Sequence, residues 1–295
     1  MTEKDWELLF ILHKEGSITK TAEKLYISQP ALTYRIKQIE KEFNTKIVYR
    51  GSKGITFTNE GEQLVEYAES MLVELRRVKD SMKNTGSEVQ GTLRLGVSSN
   101  FAFYQLPAIL EGFIAKYPKI EINLQTGWSS MIVNLLQRDE VHIGIVRGEH
   151  QWSDSQFLLS QEPIYIASSN PINLKDLPHL DQIKYHTDIR LKHTLSQWWQ
   201  AHFNKPTKIA MEVDRIETAK ELVKRNLGYG IFPGICLEDN DQLYKIPLKK
   251  DNGLVLRETS ILYKNDLLEL KVIEAFYSYV KEYYSEIINS KKSYV

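Results

Sequence analysis

The fold of the N-terminal region is decided by one stretch, Gly16-Ser17-Ile18-Thr19-Lys20-Thr21-Ala22-Glu23-Lys24-Leu25-Tyr26-Ile27-Ser28-Gln29-Pro30-Ala31-Leu32-Thr33. Thr19 can cap a short helix, and Ser28 can cap the next helix, which tolerates Pro30 in its first turn. Apolar residues at helical spacing before this stretch predict a further helix, which ends at Gly16. Helix, short helix, tight turn and helix is the order typical of a helix-turn-helix, whose recognition helix enters the major groove of DNA.

The helix predicted after Ser28 has faces of different chemistry. Its apolar residues are spaced four, three and four apart, which predicts a buried stripe. They are Leu32, Ile36, Ile39 and Phe43. On the other faces, Gln29 can form two hydrogen bonds to a base edge, and Thr33 can touch a thymine methyl group. Tyr34 and Lys37 can reach bases or phosphates, and Arg35 the DNA backbone.

Two short strands are predicted after this helix, over residues 46–50 and 54–57, around the tip Gly51-Ser52-Lys53-Gly54. This hairpin would be the wing of a winged helix-turn-helix, with Arg50 and Lys53 facing phosphates or the minor groove. The residues expected to contact DNA are Thr19, Lys20, Ser28, Gln29, Pro30, Thr33, Tyr34, Arg35, Lys37, Arg50 and Lys53.

Charge is balanced over the whole chain but not within it. The 295 residues carry 38 basic and 38 acidic side chains. Residues 20–58 hold eight basic side chains against three acidic ones. Such a local excess is typical of a DNA-binding module. The same pattern also fits a solvated basic surface on a three-helix module with no role in DNA binding.

A long helix is predicted from Asn59 to about Gly86, because the stretch lacks proline and Gly61 lies at its start. Its apolar residues repeat every four and three positions, as in a coiled coil. They are Leu64, Ala68, Met71, Leu75, Val78 and Met82. We expect residues 59–87 to form a linker helix that pairs two copies of the chain. The alternative is a helix that packs on its own globular domain.

From Thr92 onward, short apolar strands alternate with helices, which predicts an α/β domain with a parallel sheet covered on both faces. In such sheets, ligands bind beyond the carboxyl ends of the strands. Three predicted strand ends carry residues suited to an anion. These are Ser98-Ser99-Asn100, Thr126-Gly127-Trp128-Ser129-Ser130 and Arg147. Each serine could instead cap a helix, and Arg147 could form a surface ion pair.

Composition and motifs disfavour several classes of protein. The one cysteine, Cys236, excludes an intrachain disulfide and a cysteine-rich zinc site. The first residues, Met1-Thr2-Glu3-Lys4-Asp5, lack the basic flank and apolar stretch expected of a secretory signal, and no apolar run approaches the roughly 20 residues that span a bilayer. P-loop, GxSxG and HExxH motifs are absent, and Gly228-Tyr229-Gly230 lacks a third glycine in register. We expect a cytoplasmic protein that is not an enzyme. A binding module without DNA function and a non-specific nucleoid protein are alternatives.

The N-terminal stretch quoted above closely resembles the winged helix-turn-helix of LysR-type transcriptional regulators. The likeness continues through residues 36–40, 48–50 and 58–61, and the second portion is similar to the LysR effector domain. The resemblance implies an N-terminal all-α winged helix-turn-helix (1–58), a linker helix (59–87) and a two-lobed effector domain like periplasmic binding proteins (91–295). Lobe I would take in about 91–162 and 265–295, and lobe II about 163–264.

Within that family, residues 126–130, 141–148 and 213–218 look most like the catabolite-control branch of Gram-positive bacteria. That resemblance implies citrate or a related carboxylate as effector, and an arginine at position 257. The expected effector-binding residues are Ser98, Ser99, Asn100, Thr126, Ser129, Arg147 and Arg257. His142 stands where most members have aspartate, and its apolar strand favours a structural histidine over a ligand or pH sensor.

The family resemblance therefore predicts a sequence-specific regulator that binds double-stranded DNA and responds to a small anionic metabolite. An amino acid is the alternative effector. It also implies a homodimer through the linker helix and a homotetramer on DNA, and contact with RNA polymerase is compatible with that role. No cofactor, metal site or membrane partner is expected.

Overall fold

The computed structural model describes residues 1–51, 54–83, 88–250 and 253–292. The chain divides into two compact units, Met1–Thr85 and Gly86–Val295, which we describe separately. Within the described residues, no helix is both long and apolar enough to cross a membrane. The same residues contain no cluster of three or more His, Cys, Asp or Glu side chains arranged to hold a metal ion.

The N-terminal unit has the predicted order of elements. They are α1 (Glu3–Glu15), α2 (Ile18–Lys24), α3 (Gln29–Glu42), β1 (Val48–Gly51), β2 (Gly54–Phe57) and α4 (Asn59–Lys83). Gly16 ends α1 in the left-handed conformation, with φ of 58°. Ser28 caps α3 as expected, with its hydroxyl accepting from the Ala31 amide at 3.3 Å. The expected cap of α2 was wrong: Ser17 caps it, and Thr19 lies within the helix.

The core of this unit forms between α1, α3, the wing strands and the start of α4. Leu32, Ile36 and Ile39 are buried, as their spacing predicts. Phe43 was expected to complete the stripe but is 44% exposed, because α3 ends at Glu42 and the chain turns away there. Burial of these apolar side chains is the main term that stabilises the unit.

Helix α4 buries side chains against its own unit in its first turns, and further along Lys79 pairs with Glu3 of α1 at 2.7 Å. Gly61 and Ala68 are buried in the first turns, and a Cβ on Gly61 would lie 2.1 Å from the Ile47 carbonyl oxygen, so only glycine fits. Val78 and Met82, nearer the other end, are 49% and 69% exposed. The predicted heptad seam is thus divided between a part that contacts the domain core and a part that faces outward.

One buried carboxylate joins α1 to α3. Asp5 lies in the core, and its side chain accepts hydrogen bonds from Arg35 and from the amide and hydroxyl of Thr2. Burial by itself raises the pKa of Asp5, but these hydrogen bonds outweigh it and hold that pKa at about 2. Arg35, expected at the DNA backbone, therefore has its guanidinium group on Asp5.

The C-terminal unit contains a seven-stranded sheet, counted within the described residues. Its strands are β3 (Gly91–Ser98), β4 (Ile120–Gly127), β5 (Ile143–Arg147), β6 (Ser155–Ser168), β9 (Gly230–Pro233), β10 (Tyr244–Pro247) and β13 (Leu256–Tyr263). Smaller pairs are β7 (Asp181–Tyr185) with β8 (Lys208–Val213), and β11 (Lys249–Lys250) with β12 (Gly253–Leu254). The α-helices are α5 (Ser99–Tyr104), α6 (Leu106–Lys116), α7 (Ser129–Gln137), α8 (Ile189–His202), α9 (Ile216–Lys224) and α10 (Lys271–Lys292). Short 3₁₀ helices are Leu174–His179, Gly234–Cys236, Asp239–Asp241 and Asn265–Glu269.

The main sheet is mixed, which corrects the expectation of a parallel sheet. β3 runs parallel to β4 and β5, but β13 is antiparallel to both β5 and β6. The reason is that β6 is long enough to pass between the two lobes. Its first part pairs with β13, and residues 164–168 pair with β9 and β10. The chain then returns along β13 in the opposite direction.

Each lobe has its own apolar core. Lobe I packs β3, β5 and β13 against α6 and α10, with Phe113 and Phe276 at its centre. Lobe II packs α8 and α9 against the far end of β6, with Trp198 and Phe232 buried. Ile261 and Tyr263 of β13 pack in the core of lobe I, although the predicted boundary placed them in lobe II.

The sole cysteine lies in the lobe II core. Cys236 is fully buried in the short helix Gly234–Cys236. Burial raises the pKa of its thiol to about 12.

The Asp5–Arg35 contact yields a stability prediction. Asp5→Asn should lower the local stability of α1 and α3 by roughly 1 to 2 kcal/mol at neutral pH, because the native carboxylate is held ionised by its partners. The difference should shrink as the pH falls from about 4, the ordinary aspartate pKa, towards the native value. Hydrogen exchange of α1 and α3 peptides in the full chain measures both effects. Glu7→Gln, an exposed neutralisation on α1, is the matched control and should change little. Equal protection in Asp5→Asn and the control would contradict the assigned role of the pair.

Candidate functional site

The exposed surface of the N-terminal unit is built on α2, α3 and the wing. Gln29, Tyr34 and Lys37 project from α3 into solvent. The Gln29 amide donates to the Thr19 hydroxyl on α2 at 2.9 Å. Arg50 on β1 donates to the Thr33 hydroxyl on α3 at 3.0 Å. These two contacts join the short helix, the recognition helix and the wing strand into one polar, basic surface.

The other residues expected to contact DNA fall into three groups. Lys20 and Pro30 are exposed beside this surface, and Ser28 is exposed while its hydroxyl caps α3. Arg35 is directed to Asp5 instead. Lys53 lies outside the described residues. Tyr26, which the sequence did not predict as a contact residue, is almost fully exposed at the turn between α2 and α3 with φ of 53°.

A cleft of about 560 Å³ lies between the two lobes of the C-terminal unit. All of the expected effector-binding residues line it: Ser98, Ser99, Asn100, Thr126, Ser129, Arg147 and Arg257. Lobe I presents the ends of β3, β4 and β5 to this cleft. Lobe II closes the other side with residues 185–188, after β7, and residues 214–217, after β8.

Arg147 is the most deeply placed cation of the cleft, with 2% of its surface exposed. One of its amino groups pairs with Glu162, and its backbone amide donates to the Ser129 hydroxyl at 3.0 Å. Its Nε and Nη1 atoms are buried and have no hydrogen-bond partner within the described chain. The predicted alternative of a surface ion pair was therefore wrong, because this pair is buried. Burial raises the pKa of Glu162, although Arg147 and Arg257 oppose the shift.

Arg257 is also buried and joins the two lobes. Its guanidinium group pairs with Asp188 of lobe II and donates to the Arg147 carbonyl oxygen at 3.2 Å. Burial lowers the pKa of Arg257, and the nearby Asp188 carboxylate opposes that shift. Asp188 has a second role, because it caps α8 by accepting from the Leu191 amide at 2.9 Å.

The serines of the cleft are not simple helix caps. Ser98 occupies the N-cap position of α5 but makes no side-chain capping bond, and its buried hydroxyl has no partner within the described residues. The Ser129 hydroxyl accepts from Arg147 across the cleft wall. Burying a polar group without a partner costs free energy. The Ser98 hydroxyl and the Arg147 guanidinium group thus offer donors that a ligand can satisfy.

Lobe II adds acidic residues to the cleft that the strand ends of lobe I did not predict. Asp188, Asp214 and Glu217 line the cleft, and so does the exposed Arg215. Together with Arg147 and Arg257, these give a lining with as many cationic as anionic side chains. The cleft can therefore contact both signs of charge in one ligand.

His142 has the structural role that its strand position predicts. It is buried, and its backbone amide donates to the Arg94 carbonyl oxygen at 2.8 Å. Its ring accepts from the Arg94 backbone amide at 3.3 Å. These bonds hold the histidine beside β3, and it does not line the cleft.

Comparison with known proteins agrees with both units. The chain matches the family described as LysR substrate binding domain over residues 86–285. It matches the bacterial regulatory helix-turn-helix protein, lysR family, over residues 4–62. It is 48% identical over 282 residues to the uncharacterized HTH-type transcriptional regulator YraN of Bacillus subtilis (strain 168), covering 95% of this chain and 98% of that protein.

A second relative and a solved structure extend the comparison. The uncharacterized HTH-type transcriptional regulator YkuM of Bacillus subtilis (strain 168) is 33% identical over 285 residues, with 96% of this chain and 97% of YkuM covered. Full-length CbnR in complex with its target DNA is similar in fold, with a TM-score of 0.67 and 17% identity. That match covers 96% of this chain and 99% of CbnR.

The two units define a DNA-binding regulator that carries a domain for a small-molecule effector. The chain belongs to the LysR family of transcriptional regulators, which are not enzymes.

The buried Arg147–Glu162 pair generates a prediction that concerns stability alone. Arg147→Met should destabilise the C-terminal unit by about 3 kcal/mol, because it leaves the Glu162 carboxylate buried without its cation. The double variant Arg147→Met/Glu162→Gln should recover much of that loss. Urea unfolding followed by tryptophan fluorescence reports on this unit, which holds four of the five tryptophans. The exposed Arg215→Met is the control and should stay within about 0.5 kcal/mol of the parent chain. A double variant no more stable than Arg147→Met would refute this account of the pair.

Proposed function

We propose that the chain reads specific promoter DNA in the cytoplasm through α3 and the wing. Gln29, Thr33, Tyr34 and Lys37 would face base edges and nearby phosphates. Thr19, Lys20, Ser28 and Pro30 would lie along the backbone, with Arg50 and Lys53 from the wing. The observation that supports this proposal is the joint surface made by the Gln29–Thr19 and Arg50–Thr33 hydrogen bonds. Arg35 would act mainly through Asp5, by holding α3 in place.

The division between base and phosphate contacts can be tested on a DNA site selected from random duplexes. Gln29→Ala should reduce discrimination between the selected and a scrambled site by at least about fivefold, since one base contact is lost. Arg50→Ala should weaken binding to both sites alike and reduce the salt slope by about one. Gln63→Ala, exposed on α4, and Arg225→Ala, exposed in the C-terminal unit, are controls. The roles would be wrong if Gln29→Ala left discrimination unchanged.

The effector proposed for the cleft is a small carboxylate, with citrate as the first candidate. The single observation that carries this proposal is the pair of unsatisfied buried donors, the Ser98 hydroxyl and the Arg147 guanidinium group, on one wall of the cleft. A carboxylate can accept from both, and charge-assisted hydrogen bonds to arginine are strong. A second carboxylate of the ligand would approach Arg257. The resemblance to the catabolite-control branch points to the same chemistry.

An amino acid is the second candidate, and a specific observation favours it. The lobe II wall places Asp188, Asp214 and Glu217 opposite the donors of lobe I. An α-carboxylate could bind Ser98 and Arg147 while the ammonium group contacts these acids. Citrate, in contrast, would bring its further carboxylates towards like charges, which is unfavourable.

Regulation would follow from the preference of the ligand for one arrangement of the protein. A ligand that contacts both walls favours a closed cleft and shifts the population towards that state. We propose that the exposed end of α4, including Val78 and Met82, pairs two copies into a homodimer, and that dimers form a homotetramer on DNA. Closure would then alter how the DNA-binding units are presented to the promoter and to RNA polymerase.

Calorimetric titration of the full chain with citrate, 2-oxoglutarate, succinate and serine separates the two candidates. Ser98→Ala should weaken binding of the true effector by roughly tenfold, because a hydrogen bond to a charged group is lost while no internal contact is broken. Ser153→Ala, exposed outside the cleft, is the control. Saturable binding of serine, with no binding of citrate, would identify an amino acid as the effector. If Ser98→Ala leaves ligand binding unchanged, neither citrate nor an amino acid binds the cleft in the way proposed.

A further inference from the structure

Lobe II contains a second cavity of about 580 Å³, separate from the cleft between the lobes. It lies between α8 and the strands β7 and β8. Its apolar wall is formed by Ile183, Leu195, Trp199, Phe203, Pro206 and Ile231. None of Ser98, Arg147 and Arg257 reaches it. Cavities of this size lined by aromatic and aliphatic side chains are typical of small-molecule sites.

One polar atom in this cavity is buried without a partner. Gln182 is 5% exposed, and its Oε1 atom accepts no hydrogen bond within the described residues. The ring donors beside it are already used inside the protein. The Trp199 indole donates to the Lys205 carbonyl oxygen at 2.8 Å, and the Tyr185 hydroxyl to the Ile231 carbonyl oxygen at 3.1 Å. The cavity therefore needs a donor from outside the chain, either a ligand or water.

The mouth of the cavity carries a positive excess. Lys184, Lys192 and Lys205 line it and are exposed. Glu212 is the one carboxylate among the described lining residues, and it lies directly across from Lys184 on the paired strands. Three lysines against one glutamate leave a net excess of two positive charges, which can attract an anion. An occupant with an apolar body and an acidic group at one end would match both the walls and the mouth.

We propose that this cavity is a second ligand site, specific for a small ring-containing carboxylate that also carries a hydroxyl or N–H donor. The ring packs on Trp199 and Phe203, the donor satisfies Gln182, and the carboxylate lies near Lys192 and Lys205. This proposal does not depend on the identity of the effector in the cleft.

The second site is also placed to influence the cleft. Tyr185 and Thr187 line both cavities. The segment that they belong to continues to Asp188, which pairs with Arg257 and caps α8. A ligand packed against α8 therefore contacts the same segment that forms the lobe II wall of the cleft. Two ligands bound to these sites would be coupled through that wall.

The test uses the full chain and three related probes, measured by calorimetry. They are 4-hydroxyphenylacetate, which has the ring, the donor and the carboxylate; phenylacetate, which lacks the hydroxyl; and 4-hydroxyphenylethanol, which lacks the carboxylate. We expect 4-hydroxyphenylacetate to bind most tightly. Gln182→Leu should weaken it roughly fivefold and leave phenylacetate nearly unchanged, because only the donor interaction is removed. Lys192→Gln/Lys205→Gln should weaken both acids but not the alcohol.

Two matched variants separate this site from the cleft and from a folding defect. Lys175→Gln removes an exposed lysine of lobe II that does not line the cavity and should have no effect. Ser98→Ala alters only the cleft and should also leave these probes unaffected. The proposal is overturned if no probe binds, which would leave water as the partner of Gln182. It is equally overturned if binding is lost in Ser98→Ala and retained in Gln182→Leu.

Discussion

The burial of two guanidinium groups in the central sheet is the constraint around which the C-terminal unit is arranged. Arg147 on β5 and Arg257 on β13 each require a carboxylate, since an unpaired buried charge is strongly destabilising. The partners are Glu162, which lies opposite Arg257 in the strand register, and Asp188 of lobe II. One of these two pairs, Arg257–Asp188, thus both shapes the cleft and connects the two lobes.

In the N-terminal unit, polar contacts hold the exposed surface of α2, α3 and the wing in place, whereas in the C-terminal unit they line the cleft. Asp5 fixes α3 against α1 from the buried side through Arg35. From the exposed side, hydrogen bonds to Thr19 and Thr33 restrain the side chains of Gln29 and Arg50. Side chains that are ordered before binding lose less entropy on contact with a partner. The same unit therefore combines an apolar core with a recognition surface of restricted geometry.

Local sequence signals predicted the helix-turn-helix, the long helix and six of the seven residues expected on the cleft, because strand ends and helix periods are short-range properties. The seventh, Arg257, was expected from the family resemblance alone, and it also lines the cleft. What failed depended on long-range pairing. The direction of β13 and its place in lobe I follow from β6 passing between the lobes, which no local pattern shows. Asp188 and Asp214 also follow strand ends, but β7 and β8 form a separate pair in lobe II, and only the fold brings their ends to face those of lobe I.

The burial of Cys236 determines how the protein reacts with reagents that target thiols. Burial raises the thiol pKa to about 12, so very little of the protein carries the reactive thiolate at neutral pH. Peroxide and alkylating reagents attack the thiolate, and the surrounding core also denies them access. The native sulfur should therefore remain silent in labelling chemistry. A fluorophore or spin label attached to a cysteine introduced elsewhere would report on motion at that one position, without removal of the natural residue.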